Sequence, residues 1–162
     1  MNILIIGHMR HGKTTLADII KEEYGLDYLD SSEAAAEIFI YDELKDKYGY
    51  KSYEECFADR KQHRPEWFKM ICDYNNPKYR LGKEIYRRAP IYAGMRSNDE
   101  LQACIKSNLI DLIVGVHRRE LPEEPKSSFD IDFWTACDII IPNNGTIEEL
   151  KQKVKYLNKL FI

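Results

Sequence analysis

Five short apolar runs punctuate the chain, at Asn2–Ile6, Asp27–Leu29, Ile91–Met95, Leu109–Val116 and Asp138–Ile141. They are rich in Ile, Val, Leu and Tyr and continuous rather than alternating, which is how parallel strands covered on both faces read. Helical periodicity fills the intervals. Over Lys13–Tyr24, Leu16, Ile19, Ile20 and Tyr24 fall on one face. A second helix starts near Ser32 and carries Ala34–Ala36, Ile38 and Ile40. Ser52…Glu55, Ser97…Glu100 and Thr146…Glu149 have capping-box spacing, and the last opens a helix with Leu150, Val154, Leu157 and Phe161 on one stripe. Between Ser52 and Ala89 no strand pattern occurs. Pro65 fits the first turn of a helix reaching Tyr74, Asn76-Pro77 breaks it, and a further helix covers about Lys78–Arg88. Strands alternating with helices around a long helical insert predict an α/β fold, a parallel sheet with helices on both faces.

At 162 residues the chain predicts a single domain. A core over 1–30 and 90–162 would carry a helical insert over about 31–89. A lid over about 118–134 would contain the polar, Pro-containing stretch Glu120–Ser128. No apolar run approaches the ~20 residues of a membrane span. Cys56, Cys72, Cys104 and Cys137 form neither a CxxC nor a metal spacing, so reduced thiols in a cytoplasm are expected. The net charge of −3 argues against nucleic acid as a partner. That average hides a contrast, because Asp59–Arg88 holds nine Lys/Arg against four acids, a surplus of five.

Gly7-His8-Met9-Arg10-His11-Gly12-Lys13-Thr14 fits G-x-x-x-x-G-K-[ST], between an apolar strand and an amphipathic helix. Gly7 lets the chain turn off the strand, and Gly12 lets the backbone approach a phosphate. The loop amides, those of Arg10 and His11 among them, and the helix N-terminus aim donors at the anion. Lys13 would reach the β- and γ-phosphates of ATP, Thr14 would ligate Mg²⁺, and Thr15 would touch the α-phosphate. The side chains of His8 and His11 are expected to face solvent rather than bind metal. A base-reading N/T-K-x-D element is absent. Asn143-Asn144-Gly145-Thr146 lacks the Lys and the Asp, which argues against a GTPase.

On the acceptor side, Arg60 and Arg64 are spaced i,i+4. On one helix their guanidinium forks would share a face and could grip a phosphate. Trp67 would either stack on a base or fill the core. Arg96 follows the Ile91–Met95 run, where ligands of open parallel sheets sit, and should point into the crevice holding Lys13. Arg118 and Arg119 end the fourth run and enter the lid, where they could neutralise charge on a transferred phosphoryl group. His117 reads as structural.

Four stretches together resemble the bacteriophage-type deoxynucleoside monophosphate kinases of the P-loop nucleoside monophosphate kinase superfamily. They are Gly7–Thr15, Asp59-Arg60…His63-Arg64-Pro65…Trp67, Tyr92-Ala93-Gly94-Met95-Arg96, and Asp138–Ile141…Asn143-Asn144-Gly145-Thr146…Glu149-Leu150. The resemblance implies a P-loop fold with a five-stranded parallel sheet. It implies transfer of the ATP γ-phosphoryl group to a dNMP, with Mg²⁺, in a host cytoplasm if phage-encoded. By resemblance Lys13 holds the donor phosphates, and Arg96, Arg60 and Arg64 hold the acceptor phosphate. Arg118 and Arg119 match lid arginines, Asn143-Asn144 passes the adenine, and Ser32 begins the acceptor-binding helix. One position departs. Many relatives carry Asp where Ala93 stands, so Mg²⁺ would rely on Thr14 and phosphate oxygens, with Asp30 as a further candidate. Homodimers are common among small enzymes and fit this reading.

Overall fold

A computed structural model describes residues 1–162. Its centre is β1 (Ile3–Ile6), whose four side chains are wholly buried, because layers pack on both of its faces. All strands run parallel in the order β2-β3-β1-β4-β5, with β2 at Tyr28–Asp30, β3 at Ile91–Ala93, β4 at Leu112–His117 and β5 at Ile139–Pro142. This double coverage explains why the runs are continuous. Each fully buried aliphatic side chain contributes about 1.5–3 kcal/mol.

One face of the sheet packs on α1 (Lys13–Tyr24) and α9 (Ile147–Tyr156). Leu16, Ile19 and Ile20 meet Ile3, Ile5, Val114, Leu150 and Val154 there. The other face meets α6 (Arg80–Tyr86), α7 (Asn98–Lys106) and Phe129, Ile131 and Phe133 from the later part of the 118–134 segment. The insert comprises α2 (Ser31–Ala35), a π-helical turn (Ala36–Ile40), α3 (Tyr41–Tyr48), α4 (Tyr53–Asp59) and α5 (Arg64–Tyr74). It has its own small core of Ala35, Ala36, Ile40, Leu44, Cys56 and Trp67. A short α8 (Phe133–Ala136) precedes β5. No helix is long and apolar enough to cross a membrane.

The three capping-box spacings differ in outcome. Thr146 and Glu149 complete the reciprocal box. Ser52 accepts from the Glu55 amide, but the Glu55 carboxylate accepts from Lys51 instead. Ser97 accepts from the Glu100 amide at 3.4 Å, while the Glu100 carboxylate turns inward to accept from the Tyr92 hydroxyl at 2.8 Å. Asn76-Pro77 is a cis peptide bond, and the helix after it spans Arg80–Tyr86, shorter than the sequence suggests.

Candidate functional site

The loop between β1 and α1 lies beyond the carboxyl ends of β1, β3 and β4, where open parallel sheets hold ligands. Two glycines are needed there. A Cβ on Gly7 would stand 2.6 Å from the Val116 carbonyl oxygen. Gly12 has φ +106, and a Cβ on it would run into the Asn143 amide. Lys13 folds its Nζ back onto the Gly7 and His8 carbonyl oxygens, at 2.7 and 3.1 Å. Burial, and then the facing Arg96 charge, hold its ammonium down at about 8, with Glu124 opposing.

His8 and His11 do not face solvent. They are 4% and 0% exposed, because the lid closes over them. His11 Nδ1 accepts from the Arg118 amide at 3.0 Å, and its ring lies 3.2 Å from the Pro122 carbonyl through Nε2. An Nδ1 that accepts leaves the hydrogen on Nε2, which therefore donates to Pro122. His8 Nδ1 accepts from the Glu124 amide at 3.0 Å. Burial lowers the pKa of both rings, which keeps them neutral acceptors. The lid is thus strapped to the phosphate loop by two histidines. His117 packs edge-on against His11 and at a steep tilt against Trp134, a packing position.

Glu124 completes the strap. Its carboxylate pairs with Arg96 and accepts from the Met9 amide at 2.8 Å. It therefore spans the loop backbone and the arginine, two groups suited to an anion. Arg118 and Arg119 stand at the base of the lid. Arg118 lies 3.9 Å from Glu120, and the Arg119 amide donates to the Asn144 side chain at 2.9 Å. The Asn143 amide donates to the His11 carbonyl at 3.0 Å, so both asparagines clamp the phosphate loop and lid.

Thr14, Lys13, Asp30, Ser32, Arg60 and Arg96 line one cavity of about 160 Å³. Asp30 caps α2 with one oxygen, accepting from the Glu33 amide at 2.7 Å. No group of three or more His, Cys, Asp or Glu could hold a metal here. A hard cation would fit only on the Thr14 hydroxyl and Asp30, with its other ligands brought by phosphates. Arg10 is exposed at the loop tip with φ 66, and Thr15 lies one turn into α1.

Arg60 and Arg64 do not share a continuous helix. α4 ends at Asp59, Arg60–Gln62 is a 3₁₀ turn, and His63, with φ −129, separates it from α5. Asp59 accepts from Tyr50 at 2.6 Å and lies 3.1 Å from His63, which fixes this break. Both arginines nevertheless line a second cavity of about 270 Å³ with Ser32 and Trp67. Arg60 is preset there, stacked over Phe57 at 3.9 Å and donating to its carbonyl. Trp67 is 4% exposed and belongs to the insert core, and its indole N–H is buried without a partner. The neighbouring Phe68 is 72% exposed and lines both this cavity and a third of about 230 Å³. Ser31, Gly94 and Arg96 are shared by the first and third, so the cavities form one crevice.

The strap histidines, Glu124, Phe68 and Glu100 escape sequence reasoning. Three glutamates populate Glu120–Glu124, and nothing in their spacing singles out the one that turns inward.

No protein-family model matches the chain, and no curated protein matches it in sequence. Solved structures do match in fold. Dephospho-CoA kinase from Campylobacter jejuni has 13% identity and a TM-score of 0.53, over 99% of this chain and 96% of that one. Shikimate kinase from Acinetobacter baumannii, solved with shikimate, has 17% identity and a TM-score of 0.52, over 97% and 92%. The fold, a five-stranded parallel sheet with helices on both sides, is thus the one these two kinases use.

Proposed function

We propose that the chain is an ATP-dependent phosphotransferase whose acceptor is a deoxynucleoside monophosphate, giving dNDP and ADP. The observation that carries this reading is the continuous crevice. It runs from Lys13 and Arg96, past Arg60, to a ring-sized cavity walled by Phe68. ATP and Mg²⁺ would supply the phosphoryl group and neutralise its charge. The loop amides and Lys13 would hold the donor phosphates, with Gly7, Gly12 and Thr15 shaping the cradle. Thr14, with Asp30, would hold the cation. Asn143 and Asn144 would flank the donor base.

Arg96 and Arg60 would hold the acceptor phosphate, with Arg64 and Ser32 offering further donors and Trp67 backing the cavity from the insert core. Arg118 and Arg119 would approach the transferred group from the lid. A phosphate acceptor is already an anion, so positioning and charge stabilisation suffice and no strong base is required. The lid, tied down by His8 and His11, would exclude water, which would otherwise compete as acceptor.

One observation favours a second reading, a kinase of a hydroxylated metabolite. Asp30 lines the Lys13 cavity and could serve as the base a hydroxyl requires. A coupled ADP-release assay with ATP, Mg²⁺ and a panel of acceptors decides between them. Release with dNMPs supports the first, and release only with hydroxyl acceptors such as dephospho-CoA or shikimate replaces it with the second.

A further inference from the structure

The 230 Å³ cavity at the far end of the crevice holds several times the ~30 Å³ share of one water, room for one planar base. Phe68 stands at its mouth, too exposed for a core residue and placed to stack on such a ring. Two polar side chains, the buried Asn75 and the half-buried Glu100, line it.

Asn75 is 5% exposed. Its Oδ1 accepts from the Leu81 amide at 3.0 Å, and this bond fixes the amide so that Nδ2 is the free end. Nδ2 has no partner in the protein. The one sealed, unpartnered polar side-chain atom is Trp67 Nε1, so Asn75 Nδ2 keeps some exposure, and Asn75 lines the cavity.

Glu100 gives up its capping position to enter the cavity wall. The Tyr92 hydroxyl donates to one oxygen at 2.8 Å, and the other has no protein partner. A fixed amide donor and a carboxylate acceptor lining one cavity are complementary to a base edge that carries a carbonyl and a ring N–H.

We propose that Asn75 and Glu100 read the ring edge of the acceptor. They select bases with a carbonyl next to a ring N–H (thymine, uracil, guanine) over bases with an amino group next to a bare ring nitrogen (adenine, cytosine). This rests on the dNMP reading above. Asn75 Nδ2 donates to the carbonyl, and the ionised Glu100 accepts the ring N–H. An amino group would oppose the Asn75 donor, and a bare nitrogen would face a carboxylate, leaving buried groups unpaired, which is the strongest form of rejection.

The selectivity depends on pH. Burial raises the Glu100 carboxyl to about 7, with Tyr92 and Lys78 opposing. The groups facing it are Tyr92 from β3, Tyr86 from α6, Cys104 from its own helix and Lys78 from the turn before α6, with Arg96 also at the cavity wall. Burial raises both tyrosines and the cysteine, so none of the three ionises below its ordinary range. Below pH 7 a protonated Glu100 becomes a donor and no longer complements the ring N–H.

The test is kcat/KM for dTMP, dGMP, dCMP and dAMP between pH 6 and 8. The acceptor phosphate titrates alike in all four and cancels in their ratio. At pH 8 the carbonyl bases should lead by roughly 10²-fold. The lead should shrink about tenfold by pH 6, as the ionised fraction falls. Glu100→Gln should give a smaller ratio that no longer changes with pH. Asn75→Asp keeps the acceptor for Leu81 and removes the donor, and should erase the preference. If dNMPs turn over with equal efficiency, or if Glu100→Gln keeps a pH-dependent ratio, this inference fails and the kinase reading stands. If Glu100→Gln does not fold, a wild-type ratio that is flat in pH overturns the inference by itself. No turnover of any dNMP overturns both.

Discussion

The Glu124 carboxylate in the lid pairs with Arg96 across the crevice while accepting from the Met9 amide of the phosphate loop at 2.8 Å. On the proposed reading Arg96 and the Met9 amide form the seat that a phosphate oxygen would take, and phosphate would then have to displace the carboxylate. Glu124→Gln keeps the shape and removes the charge. Freeing Arg96 of this partner, in a half-exposed pair, is worth about 1 kcal/mol. Inorganic phosphate should then bind about 5-fold more tightly by calorimetry. Unchanged or weaker binding would mean that Glu124 does not compete for the seat.

The strap should loosen in acid. His8 and His11 accept backbone N–H bonds only when neutral, and burial lowers the pKa of each. A histidine depressed in the folded state is protonated more readily in the unfolded chain. Its contribution is therefore complete above the ordinary value of about 6.5 and is lost as pH falls below it. Hydrogen-exchange protection of the Arg118 and Glu124 amides should be intact at pH 7.5 and fall markedly by pH 5, after correction for intrinsic rates. Equal protection at both would contradict the strap.

Gly12→Ala should be costly on two counts, a left-handed backbone and a clash with the Asn143 amide that bolts the loop to β5. A loss of about 1–3 kcal/mol in denaturant stability is expected. Gly25→Ala, also at positive φ but in open space, should cost less. Equal losses would show that the Asn143 contact does not matter.

The sheet and its flanking helices were legible because double burial and amphipathic period leave local signatures, as in Ile3–Ile6 and Leu16–Ile20. The tight turn from β1 into α1 was legible because its glycines are demanded by backbone geometry. What local pattern could not carry was contact between distant segments. Glu124 meets Arg96 across 28 residues and Met9 across 115, and His11 meets Pro122 across 111. A histidine in a motif loop reads as exposed until the lid that buries it is in place. Arg60 and Arg64 read as one helical face, yet the Asp59–His63 pair breaks the helix and the cavity still gathers both. Glu100 read as a cap because Ser97 has the right spacing. The buried Tyr92 hydroxyl outbids that role.

Removal of Lys13, the lysine proposed to hold the donor phosphates, separates chemistry from binding. Lys13 is aimed at the loop carbonyls and free to swing to a phosphate. Lys13→Ala should lower turnover by 10²-fold or more, the scale of losing a preorganised charge at the transferred group. Arg96→Ala should instead raise the acceptor KM more than the ATP KM. An Arg96→Ala enzyme with normal acceptor kinetics would remove this arginine from the acceptor site.

The most direct test follows labelled phosphorus. ATP carrying the label on its γ-phosphoryl group is incubated with Mg²⁺, the protein and each dNMP, and the nucleotides are separated. The label should move into dNDP with the wild type and stay in ATP with Lys13→Ala. Label that appears only as inorganic phosphate, or that never leaves ATP, would contradict a phosphotransferase acting on deoxynucleoside monophosphates.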